Sequence, residues 1–118
     1  MSSSYRRKSN QKKGSFRYIA LHKPYGYLSQ FTGDVGQKTL AEFSLPKGVY
    51  AAGRLDRDSE GLLLLSDDGP FVHKLLNPRF AHQRTYWSQV DGHPTTEALE
   101  KFQKGLSLKG YKSKPCSV

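Results

Sequence analysis

The sequence predicts an α+β fold, a mainly antiparallel sheet with flanking helices. Three observations carry that expectation. Short apolar stretches recur between Gly- and Pro-containing turns, several of them at hairpin spacing. One run, Leu62–Leu65, is wholly apolar, short and bounded by turn residues. Two further segments carry helix start and stop signals. Strand signals therefore outnumber helix signals, which favours α+β over a wound parallel sheet. A chain of 118 residues fits one domain.

Taken in order, Phe16–Leu21 is aromatic and β-branched enough for a strand, ended by Pro24 and Gly26. Tyr27–Phe31 resumes as a second strand before a Thr32-Gly33-Asp34 turn. Lys38–Phe43 suits a single helical turn, stopped by Pro46 and Gly48. Val49–Ala52 reads as a strand entering Gly53, and Leu62–Leu65 as a strand buried on both faces. Pro70 opens a helix through Leu76, with Asn77-Pro78 closing it. Thr85–Val90 returns to strand. Thr95 or Thr96 caps a helix with Glu97 and Glu100 early and Lys101 and Lys104 late, an order that complements the helix dipole. Gly105 stops it, and Leu106–Leu108 with Lys109-Gly110 gives one more strand and turn.

Nineteen Lys and Arg oppose ten Asp and Glu, a net charge of +9. The excess lies at the two ends. Arg6, Arg7, Lys8, Lys12, Lys13 and Arg17 precede any acid, and Lys101, Lys104, Lys109, Lys112 and Lys114 follow the last one. Residues 1–14, polar and basic, are expected to form a disordered tail. Residues 15–118 are expected to hold the folded part. Basic ends around a nearly neutral body suit a polyanion, because Lys and Arg release condensed counterions from phosphates. A solubilising tail is the competing reading. No apolar run approaches the roughly 20 residues that span a bilayer, and no signal peptide precedes the body. The single cysteine, Cys116, excludes an intrachain disulfide. A cytoplasmic protein with no membrane partner is expected, and a monomer.

The densest polar cluster is Gly53-Arg54-Leu55-Asp56-Arg57-Asp58-Ser59-Glu60-Gly61, between two apolar strands. Such a loop on a rigid scaffold is where a reactive carboxylate would be displayed, and Gly53 and Gly61 permit unusual backbone geometry. Three readings are open. Asp56, Asp58, Glu60-Gly61 and Asp67 imitate the spacing of an EF-hand calcium loop, but the glycines and Pro70 deny it flanking helices. The charged residues could be ordinary surface ion pairs. Asp56 could also be a nucleophile or base, with Arg54 and Arg57 keeping it ionised and holding phosphates. His22, His73, His82 and His93 are not at ligand spacing, so no metal is expected. Ser59 lies in no nucleophile elbow.

The stretch Gly53 to Gly69 (GRLDRDSEGLLLLSDDG) closely resembles the active-site motif of pseudouridine synthases, in the RsuA-type branch that modifies ribosomal RNA. Flanking elements agree in order and spacing. Leu21-His22-Lys23-Pro24-Tyr25-Gly26-Tyr27 resembles that family's Lys-Pro-x-Gly strand end. Leu76-Asn77-Pro78-Arg79 resembles its helix exit, and Arg84-Thr85-Tyr86 its Lys-x-Tyr strand, with Arg84 where Lys is usual. The resemblance covers roughly residues 16–110.

It implies an enzyme that isomerises a uridine of ribosomal RNA, of the large subunit, with no cofactor or metal. By the same resemblance Asp56 is the nucleophile, Tyr86 stacks on the extruded uracil, and Arg54 occupies the space the base leaves. Lys23, Arg57 and Arg84 are candidates for phosphate contact. The family's small N-terminal S4 domain is not matched, nor is its later Arg-rich segment with an Asn-Arg-Gln core. The chain is therefore expected to be the first portion of a catalytic domain. A basic, RNA-binding polypeptide without catalysis is the alternative.

Overall fold

The computed structural model describes residues 15–118, so the expected basic tail lies outside the described residues. The chain forms two compact units that divide between Gln83 and Arg84.

The first unit is built on three antiparallel strands: β1 (Tyr18–Lys23), β2 (Tyr50–Ala51) and β3 (Gly61–Ser66). Their order in the sheet is β1-β3-β2, which puts the wholly apolar strand in the centre. Register pairs Tyr18 with Ser66 and Lys23 with Gly61, so residues directly opposite share a face. On one face Leu63 and Leu65 join Leu40 and Val49 in the core, with Ile19, Leu21, Phe31, Phe43, Leu45, Ala51 and Leu55 packed around them. Leu40 opens a turn of 3₁₀ helix, Leu40–Glu42, capped by the Thr39 hydroxyl.

Among the described residues, the other face is covered at the Ser66 end. Helix α1 (Gly69–Leu76) starts there, with Pro70 in its first turn and the Asp68 carboxylate accepting from Phe71 N at 3.2 Å. The Tyr18 ring meets Phe71 edge-on at 5.0 Å, and its hydroxyl donates to Asp68 Oδ2 at 2.5 Å. Leu62, at the open end of that face, is 67% exposed. The expectation that Leu62–Leu65 is buried on both faces is therefore corrected. One short helix covers only part of a strand's length, and period-2 alternation leaves Leu62 outside it.

Two other expected strands are absent. Tyr27–Phe31 forms a single parallel bridge, Tyr27 to Lys38, rather than a ladder. Its backbone groups bond instead to an irregular neighbour, Leu28 N to Lys38 O at 2.9 Å and Leu40 N to Gln30 O at 2.8 Å. Thr85–Val90 belongs to no strand, and every residue in it is exposed. Strand propensity reflects packing on a paired surface, and this segment has no ladder among the described residues.

The second unit, Arg84–Val118, contains helix α2 (Thr96–Lys104) and the hairpin β4 (Ser107–Leu108) and β5 (Tyr111–Lys112). Of the two expected caps, Thr95 and Thr96, it is Thr95 that caps α2 through its hydroxyl; Glu97 lies in the first turn and Lys101 and Lys104 in the last, as the sequence predicts. No residue of this unit is buried. No helix among the described residues is long and apolar enough to cross a membrane.

Candidate active site

The loop from Gly53 to Glu60 joins β2 to the central strand β3. Gly53 and Gly61 bracket it with φ of +91° and +134°, values that side-chain-bearing residues rarely adopt. At Gly53 a Cβ would also come within 3.2 Å of Leu76 at the end of α1. Between the brackets Leu55 turns inward onto the core, while Asp56 is exposed. The order Arg-Leu-Asp thus supplies one anchor and one presented carboxylate.

Residues 23–30, which leave β1, hold this loop from the other side. Ser29 Oγ donates to Leu55 O at 2.8 Å and accepts from Leu55 N at 3.0 Å. Gly26 N donates to Arg57 O at 2.7 Å, and Asp56 O accepts from Ser59 N at 3.0 Å. The backbone is therefore fixed on both sides of Asp56. Among the described residues its carboxylate takes part in no hydrogen bond or ion pair.

Neither arginine beside it is bonded to it. Arg54 Nη2 donates to Gln30 Oε1 at 2.9 Å, and the Gln30 amide in turn donates to Thr32 O at 2.6 Å. Arg57 Nε lies 3.5 Å from Asp58 Oδ1, an exposed pair of small energetic weight. The expected role of both arginines beside Asp56 therefore involves no direct bond to its carboxylate among the described residues. They are oriented by Gln30 and Asp58.

Lys23, expected at a phosphate, has a different place. It is 0% exposed, at the end of β1 on the core face. Its ammonium donates to Pro24 O at 2.9 Å and Tyr27 O at 2.8 Å, with Arg57 O farther off at 3.5 Å. Burial pulls its pKa below the usual lysine value, and the nearby Asp58, Glu60 and Asp56 charges oppose that shift. From this position Lys23 braces the turn and the loop, and its ammonium is not presented to a ligand.

Tyr86 is 63% exposed and Trp87 fully so, and both belong to the second unit, as does Arg84. The EF-hand reading fails on geometry. Residues 61–66 form an extended strand that separates Asp67 from Asp56–Glu60, where a calcium loop would have to curl back on itself.

Sequence reasoning missed Ser29 and Gln30. The available signal was a polar pair inside an otherwise apolar run, Tyr27-Leu28-Ser29-Gln30-Phe31. Their partners lie 26 and 24 residues away, so only the fold reveals the contacts.

The chain is similar to known proteins. The ribosomal large subunit pseudouridine synthase E of Xanthomonas campestris is 52% identical over 102 residues, spanning 85% of this chain and 54% of the relative. The ribosomal large subunit pseudouridine synthase B of Bacillus subtilis is 40% identical over 103 residues, spanning 86% and 42%. A crystal structure of a pseudouridylate synthase superposes with a TM-score of 0.75 at 28% identity, covering 86% of this chain and 45% of that one. The chain thus spans about half the length of the curated relatives it matches. The family model described as RNA pseudouridylate synthase matches residues 17–115, which contain the whole Asp56 loop and the segment that braces it, and the chain belongs to that family.

Proposed function

We propose that this protein isomerises a uridine of ribosomal RNA, of the large subunit, to pseudouridine, with Asp56 as nucleophile. The observation that carries the reading is the exposed Asp56 carboxylate on a backbone pinned at Leu55 and Arg57. Family membership and the 52% identity to a large-subunit enzyme support the substrate.

The chemistry follows from the groups present. A carboxylate is ionised at neutral pH and can form a covalent intermediate without activation by a base. It bonds to the nucleotide as the glycosidic bond from C1′ to N1 breaks. The detached uracil turns, C5 bonds to C1′, and the carboxylate is released. The proton on C5 departs and N1 gains one, so the composition of the RNA is unchanged. An intact stack would block this, so the nucleotide must be extruded first, at a cost of a few kcal/mol.

Tyr86, exposed and aromatic, is the platform for the extruded base, worth about 1–3 kcal/mol. Arg54, which Gln30 orients, takes the vacated space. Arg57 and Arg84 contact phosphate. Lys23 braces the loop from inside instead.

The test is tritium release from unmodified ribosomal RNA carrying [5-³H]uridine, since forming the new bond expels that hydrogen. Release by the wild type that disappears in Asp56→Asn, with RNA affinity little changed, supports the proposal. Equal release by the variant sinks the nucleophile. A second reading, an RNA-binding polypeptide without catalysis, is supported by the net charge of +9. RNA binding without release would select it.

A further inference from the structure

We propose that Ser29 is a positioning residue for Asp56, acting through the backbone of Leu55. The inference rests on the reading of Asp56 as nucleophile. Leu55 lies in a loop, outside any ladder, so neither its N–H nor its C=O has a strand partner. A single hydroxyl satisfies both, accepting at 3.0 Å and donating at 2.8 Å. Serine is the smallest side chain able to donate and accept at once, and here it is only 8% exposed. Removing the hydroxyl would leave two peptide groups without partners in a place water enters poorly.

The anchor is well founded on its own side. The carbonyl of the next residue is tied down by Leu40 N, which donates to Gln30 O at 2.8 Å, and Leu40 is fully buried in the core. The bracing of Asp56 is therefore two-sided. Gly26 N holds Arg57 O behind it, and Ser29 holds Leu55 ahead of it. The Leu55 side chain packs on the core, but packing alone leaves rotation about the peptide free. The paired hydrogen bonds fix that rotation, and with it the direction in which the next residue leaves the surface. A nucleophile displaced by about 1 Å can lose on the order of 100-fold in rate.

The experiment compares wild type with Ser29→Ala, Ser29→Cys and Ser29→Thr by three measurements: amide hydrogen exchange at Leu55, thermal unfolding, and kcat and KM from tritium release. In Ser29→Ala, Leu55 exchange accelerates while the Gly26 amide stays protected. Its kcat falls about 10- to 100-fold with KM within about twofold. Across the three variants kcat follows Leu55 protection. Wild-type kcat in Ser29→Ala, unchanged Leu55 exchange, or kcat that ignores protection each overturns the proposal. So does a collapse of the thermal transition that accounts for the lost activity, which would make Ser29 merely structural. Asp56→Asn run in parallel separates the two claims. Activity retained there sinks the nucleophile, while Leu55 exchange still judges the tether. Absence of turnover in the wild type overturns the catalytic role of both residues.

Discussion

A lysine ammonium with no exposed surface has to be matched by acceptors, and Lys23 finds them in carbonyls of its own turn and of the loop that carries Asp56. Replacing it with Met keeps the volume but removes every donor. Arg57 O retains Gly26 N, while Pro24 O and Tyr27 O lose the ammonium they accept from. Lys23→Met should cost about 1–3 kcal/mol in urea denaturation near neutral pH. The pH dependence follows from the depressed pKa. Between the folded value and the ordinary 10.5 the unfolded chain binds the extra proton, so stability rises with pH across that window. Lys23→Met should lose this rise, and an identical pH profile would refute the assignment.

At the scale of elements, the contact of β1 with α1 has its own alkaline signature. The Tyr18 hydroxyl bonds to the Asp68 carboxylate, and this bond, more than burial or the charges of Asp68 and Asp67, raises the phenol above 10.0. The stability it contributes is fully present below pH 10.0 and is lost as pH rises through the raised value. The Tm advantage of wild type over Tyr18→Phe should therefore hold up to about pH 10 and vanish above it. An advantage independent of pH would show that the ring contact with Phe71 alone matters. The loop depends in the same local way on Gly53. Gly53→Ala meets φ of +91° and the Leu76 methyl group at 3.2 Å, and should destabilise by about 1–2 kcal/mol in denaturant titration.

For the whole molecule, charge is the property that reaches beyond any one site. Arg6, Arg7, Lys8, Lys12 and Lys13 fall in residues 1–14, outside the described structure. If they meet RNA phosphates, deleting 1–14 should flatten the plot of log affinity against log salt by about 0.7 per lost contact on single-stranded RNA. An unchanged slope would assign the tail to solubility alone.

What the sequence determined by itself was local and contiguous. Pro70 and the Thr95-Thr96 pair mark helix starts because such signals act within the first turn, and the two helices begin within a residue of them, at Gly69 and Thr96. The Gly53–Gly69 motif carried the family for the same reason, its residues being consecutive. Only the tertiary structure decided what depends on distant partners. The register of β1 against β3 brings Lys23 opposite Gly61, buries its ammonium and sets Ser29 against Leu55, 26 residues away. Burial of a charge and the pairing of an isolated loop peptide are properties of the surrounding volume. Spacing along the chain does not encode that volume. For the same reason Tyr27–Phe31 and Thr85–Val90 have strand-like composition without being strands, since a strand exists only when a second one pairs with it.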